Sequence, residues 1–349
     1  MTDAVVCSKC FLDQGLRLDS FRIGSDDNSP CVNCGFTDGR KLSKELVSEL
    51  AHRFFVEGTM HRSRFGGAPV IVSNAYQRSS ITPAPWFESD LRLLERVLSI
   101  GFFHYGPRLW MLGEIEPLKE LLREEGRKAV TTRIITEYPS KVLSVGESFY
   151  RVRRDPTDPA SFAEYDSPPI NLVGRGRLDS MECPVLYGSQ DIQVCIQECR
   201  VTVEDNLYIA TLAANRDLNL LDLTEVLAEN VTEFESLDIA VHMLFLAGSH
   251  AYEVSRAIAL AAYEAGYDGV IYPSFFSLIR TGFRPFDTVY GISIRKIPQM
   301  SSLVMAQTIS NVAIFGKPIE QGLLTVQCVN RLILNRVEYD VLFGPVGYM

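Results

Sequence analysis

The chain has 349 residues, 46% of them hydrophobic, which is enough for two or three domains with a sizeable buried core. Its formal charge of -9 argues against a broad electropositive face that captures nucleic acid by neutralising phosphates. Eight cysteines, four of them in two CxxC pairs and four scattered through apolar segments, fit metal and free thiols in a reducing compartment better than a disulfide framework.

The first ten residues already hold Asp3, Lys9 and two cysteines, a pattern unlike a secretory leader. The most apolar run, near Ala240 to Gly248, is broken by His242 and falls well short of the roughly 20 residues a bilayer requires. A cytoplasmic protein without membrane contact is expected.

CSKC, Cys7 to Cys10, is followed after twenty residues by CVNC, Cys31 to Cys34. Two thiolates two residues apart reach one ion from a tight turn, and two such turns complete a tetrahedral shell. Gly35 supplies the positive φ that a knuckle turn favours. A redox pair would want a thioredoxin-like strand and helix around one CxxC, and neither is evident. Four sulfur ligands leave no open position, so the pattern predicts a structural zinc held by Cys7, Cys10, Cys31 and Cys34.

Leu42, Leu46, Leu50 and Phe54 recur at helical spacing behind a Ser43 start. Helices are also expected over Trp86 to Leu98 and Pro117 to Lys128. HYGPR, His104 to Arg108, reads as surface or packing. Around Tyr138 to Gly146 the texture changes to short apolar runs between turns. The expected division is a four-cysteine zinc knuckle with its helix at 1–60, a helical connecting region at 61–140 and a third domain at 141–349. In that last part FYRVR, VLYGS, NLYIATL, LNLLDL, DTVYGISI and LLTVQCV read as strands, and GYDGVIYPS as a turn feeding a buried strand that ends at Ser274. DIQVCIQEC reads as a helix capped by Asp191, and Ala240 to Leu246 and Val254 to Glu264 as two more.

Polar residues cluster at the ends of these strands, where sites are usually built. Arginines beside glycines in GRGR suit phosphate, because small residues permit close approach and guanidinium makes forked hydrogen bonds. Taken singly, Arg177 reads more readily as a solvated turn residue, Tyr187 as strand core and Glu198 as an exposed helix carboxylate. No GxSxG, P-loop or complete dinucleotide GxGxxG is present.

GRGRLD, PVLYGS, the glutamate eleven residues after that tyrosine, and AGYDGVIYPS together resemble successive blocks of the RES domain family over about Ser148 to Ile297. CSKC, FLDQGLRLDS and CVNCG resemble the zinc-knuckle domain that precedes RES or HEPN domains. The first resemblance implies an α+β fold with an ADP-ribosyltransferase-like mixed sheet, preceded here by the small zinc-knuckle and helical region. It implies Arg177, Tyr187, Glu198 and Ser274 as catalytic residues, with Arg151, Arg177, Tyr187 and Ser274 contacting NAD. The family's Trp-Asn after GR is Leu178-Asp179 here, the glycine before PVLY is Cys183, and FFSLIRTGFRPF lacks the Arg and Gly-Asn arrangement expected behind the serine.

The activity so implied is cleavage of the nicotinamide-ribose bond of NAD, by a glycohydrolase using water or a phosphorylase using inorganic phosphate. The implied setting is a bacterial toxin or phage-defence effector with an antitoxin or immunity partner. A protein-modifying ADP-ribosyltransferase and an inactive zinc-ribbon interaction protein are the alternatives.

Overall fold

The structure, a computed structural model, describes residues 4–63, 66–107, 112–169, 171–282, 288–289, 292–338 and 341–348. Arg108 of HYGPR, positions 283–286 of FFSLIRTGFRPF with the adjoining Asp287, and Tyr290 and Gly291 lie outside them. The chain forms two compact units, one of residues 1–63, 67–108 and 339–349, the other of 64–66 and 109–338.

The first unit begins with β1 (Ala4–Cys7), α1 (Gln14–Ile23), β2 (Lys41–Ser43) and α2 (Lys44–Ala51). Asp13 and Ser43 cap the two helices by accepting from the Leu16 and Leu46 amides. A π turn over His52–Val56 continues α2 and turns both Phe54 and Phe55 inward. Then come β3 (Met60–Ser63), β4 (Gly66–Pro69), β5 (Ile71–Ala75), α3 (Glu88–Leu98) and β6 (Ile100–His104). Phe54, Phe55, Phe87 and Phe102 are fully buried with Leu50 and Leu94 in one core, and Phe55 meets Phe102 at 4.3 Å between ring centroids. Each such burial contributes about 1.5–3 kcal/mol.

The expected boundaries differ from this division. Among the described residues the stretch 61–140, read as helical, also holds β4, β5 and β6, and the alternation in Ile71–Ala75 and Ile100–His104 pairs those two as a hairpin-like ribbon. The final residues also leave the third domain and pack on the first unit. Gly15 lies where a Cβ would sit 2.6 Å from Phe343, and Gly58 where one would sit 2.5 Å from Gly344 Cα. Two glycines thus make the groove that receives the tail.

The second unit opens with α4 (Glu116–Leu122) and α5 (Glu124–Glu137), two helices where one was read, because Arg123 between them is extended. There follow β7 (Ser140–Leu143), β8 (Ser148–Arg154), β9 (Val185–Ser189), α6 (Ile192–Glu198), β10 (Leu207–Ala214), β11 (Leu218–Asp222), α7 (Leu237–Leu246), α8 (Tyr252–Glu264) and β12 (Gly269–Pro273). The unit ends with α9 (Ser277–Thr281), β13 (Thr288–Val289), β14 (Ile292–Ser293), α10 (Ser301–Ala306), β15 (Ser310–Phe315) and β16 (Leu324–Leu332). DTVYGISI accordingly gives two short paired strands in place of one.

Among the described residues eight strands make one mixed sheet in the order β16-β10-β8-β9-β15-β12-β11-β7, parallel only between β11 and β12. The α+β expectation holds. One face packs on Phe149, Leu186, Leu212, Ile271, Val312 and Ile314. The ladder narrows at its centre, where β8 and β9 share a single pair, Tyr150 with Ser189. Gly188 permits this crossing, since a Cβ there would lie 2.4 Å from the Phe149 ring and 2.6 Å from Tyr150 O.

Candidate functional site

Glu198 ends α6, whose start is fixed by Asp191 accepting from the Val194 amide. The glutamate is exposed, yet its Oε1 accepts from Ser274 Oγ at 2.7 Å and from Asn311 Nδ2 at 2.7 Å. Both donors are almost wholly buried, at 1% and 2% exposure. An ordinary surface glutamate keeps its rotamer freedom, whereas this one is held by two short charge-assisted bonds. Ser274 follows β12, and its Oγ also accepts the Phe276 amide at 3.1 Å, which orients the hydroxyl hydrogen toward Glu198.

Asn311 lies near the start of β15 and pairs with Tyr272 of β12 on one side and Ser189 of β9 on the other. Burial, then the nearby Glu198 carboxylate, pushes the Tyr272 hydroxyl well above the usual tyrosine range, so it stays neutral; Arg177 and the Asn311 amide act the other way. Its ring stacks on Phe245 of α7 at 5.2 Å.

Arg177 lies on that same side. Its Nη1 and Nη2 donate to the Leu244 and Ala247 carbonyls at the end of α7, at 3.2 and 2.9 Å, a favourable place for a cation. The guanidinium carbon lies 4.8 Å from the Tyr252 ring centroid and 5.8 Å from that of Phe245. Two of its five N–H groups serve the helix, and among the described residues no hydrogen-bond acceptor is found for the other three.

The turn that carries Arg177 is built from within. Tyr187 Oη accepts the Leu178 and Asp179 amides at 2.8 and 3.0 Å and donates to Asp179 Oδ1 at 2.9 Å. Arg256 of α8 donates to the Gly174 and Gly176 carbonyls, at 2.6 and 2.8 Å. Gly176 leaves room for this knot, because a Cβ would lie 2.2 Å from Asp179 Oδ1 and 2.7 Å from Tyr187 Oη. Burial and Asp179 push the Tyr187 hydroxyl well up, so it is a neutral fastener. Replacing Tyr187 by Phe strands two amides and a buried carboxylate oxygen. A loss of about 1–3 kcal/mol is expected in denaturant unfolding of the second unit.

Three of the expected site residues have partners within the protein. Tyr187, expected to be catalytic and to contact NAD, has its hydroxyl bonded within the GRGR turn. Ser274, expected to contact NAD, spends its hydroxyl on Glu198 and the Phe276 amide. Arg151, expected to hold phosphate, is 6% exposed, and its Nη groups donate to the Tyr187 and Asp166 carbonyls at 2.9 Å each. There it supplies a donor to β9 just where the β8 ladder stops. Burial, with Arg153 nearby, lowers its pKa to about 10. Asn311, Tyr272 and Arg256 were missed by sequence reasoning. The signal for Asn311 was a polar residue opening the apolar run NVAIF, bounded by Gly316.

In the first unit Cys7, Cys10, Cys31 and Cys34 converge with all their sulfurs within 4.8 Å of one another. Three of the edges measure 3.9, 3.5 and 3.6 Å. A tetrahedron of sulfurs at about 2.3 Å from zinc has edges of about 3.8 Å, so the quartet fits that ion. Asn33 Nδ2 donates to Cys10 Sγ at 3.3 Å, and Gly39 lies where a Cβ would come 2.7 Å from Cys7 Sγ. Lys41, buried beside this turn and paired with Cys7, donates to the Thr37 and Gly39 carbonyls at 2.9 and 2.6 Å. Its charge offsets that of a thiolate quartet.

Residues 148–281 match the family described as the RES domain. No curated protein matches the chain. A solved structure described as the M. tuberculosis MbcT-MbcA toxin-antitoxin complex is similar to it, with 16% identity and a TM-score of 0.34, over 59% of this chain and 93% of that one.

Proposed function

We propose, from the match of residues 148–281 to the RES domain family, that the chain is an enzyme that cleaves the nicotinamide-ribose bond of NAD. The observation that carries this reading is the exposed Glu198 carboxylate, pinned through Oε1 by two buried donors, with Oε2 left for a ligand. As nicotinamide departs from ribose C1 as a neutral molecule, positive charge grows on the sugar. A carboxylate fixed before the reaction stabilises that charge without a reorganisation cost.

Arg177 meets the pyrophosphate with the N–H groups that α7 leaves unused. Tyr187 and Arg256 serve by holding the turn that aims it. Arg151 keeps the sheet open at β8 and β9, and is assigned no substrate contact. Ser274 orients Glu198. In the first unit the four cysteines hold zinc, which cross-links the two knuckles as a structural ion. A toxin or phage-defence role, with an antitoxin or immunity protein that blocks the site, accords with the family resemblance.

Water as nucleophile gives nicotinamide and ADP-ribose; inorganic phosphate gives nicotinamide and ADP-ribose 1''-phosphate. Incubating the purified chain with NAD, with and without phosphate, and separating the products by anion exchange distinguishes them. Nicotinamide released with its ADP-ribose attached to protein, and with neither free ADP-ribose nor its 1''-phosphate formed, would replace this reading by protein modification.

A further inference from the structure

We propose that Asn311 is a positioning residue for Glu198, selecting Oε2 as the one oxygen that works on the substrate; this rests on the NAD-cleaving reading above. A carboxylate has two equivalent oxygens and a freely turning terminal torsion. Here that equivalence is broken. Ser274 and Asn311 both donate to Oε1, each at 2.7 Å, one from the residue after β12 and the other from the neighbouring β15. The oxygen left to meet a ligand is then Oε2, which has its full acceptor capacity for a ribose hydroxyl or for charge at C1.

Asn311 suits this task for reasons of geometry and chemistry. It lies on β15, between β9 and β12, so neighbouring strands flank it on both sides. It is 2% exposed and sits directly opposite Tyr272 in the ladder, which limits how it can turn. An amide gives a donor without adding charge beside the carboxylate. An aspartate of the same shape would present oxygens to oxygens. Ser274 has a hydroxyl that could rotate, but the Phe276 amide fixes it. Two donors from different segments hold Oε1 more firmly than one donor would.

The test uses the full chain with Asn311→Ala and Asn311→Asp. On removal of the donor kcat for NAD is expected to fall about ten- to a hundredfold, the range for a hydrogen bond to a charged group, with KM changed less than about twofold. Asn311→Asp keeps the shape, and is expected to lose at least as much; activity near wild type in that variant would show that Asn311 only fills space. Wild-type kcat in Asn311→Ala would overturn the proposal outright. A second readout needs no turnover. Crystal structures are expected to show one Glu198 carboxylate orientation in the wild type and several in Asn311→Ala. A single unchanged orientation in the variant would also overturn it. If the wild type leaves NAD intact while the variant carboxylate becomes disordered, the positioning stands and the reaction assigned to the site falls.

Discussion

Glu198→Gln is expected to lower NAD cleavage by at least about 10²-fold with the fold intact, as preorganised electrostatic groups do when they are neutralised. Glutamine is the informative replacement. Its carbonyl oxygen can accept both Ser274 and Asn311, and its amide nitrogen then stands where Oε2 was. The loss would report the missing charge at that oxygen. Glu198→Ala removes the charge too, but strands two buried donors at a cost of about 1–3 kcal/mol each, so rate and stability fall together. Steady-state rates beside thermal melts separate the two variants. A Glu198→Gln protein as active as wild type would remove the carboxylate from the chemistry.

Removal of the metal is expected to unfold the first unit. Apparent binding free energies for zinc in small Cys-rich modules are about 10–16 kcal/mol, against a total stability of about 5–15 kcal/mol for a typical domain. The quartet joins the turn at the end of β1 to the segment before β2, cross-linking the two ends of the loop that carries α1. Cys7→Ser and Cys31→Ser should each abolish stoichiometric metal in elemental analysis. They should also expose the phenylalanine core around Phe54 and Phe102 to dye binding. Full retention of metal in either variant would defeat the ligand set. The second unit has its own core and is expected to keep its unfolding transition after chelation.

Much of the site was legible because its signals are local. VLYGS gives a strand with the bounds read for it, Val185 to Ser189, and Asp191 caps the following helix as its position in DIQVCIQEC suggests. The four cysteines announce themselves by spacing. What the sequence does not carry is direction. Arg151, Arg177 and Tyr187 read alike as polar groups near strand ends, yet one bonds two backbone carbonyls, one rests on a helix end and one ties a turn. For the two arginines the partners that make the difference lie 15 to 70 residues away. β15 was missed because its apolar run is short and buried on both sides by neighbours, so it shows no alternation. With it went Asn311, the donor that completes the carboxylate's setting. Arg123 ends α4 without proline or glycine, and the tail's return to the first unit depends on grooves at Gly15 and Gly58 that no pattern marks.

The central claim is that this chain breaks the nicotinamide-ribose bond through Glu198. Its most direct test follows nicotinamide release and NAD loss together, for the wild type and for Glu198→Gln matched in folded fraction. One nicotinamide released for each NAD lost by the wild type, and little release by the variant, is the predicted result. NAD left intact by folded, metal-loaded wild-type protein would contradict it.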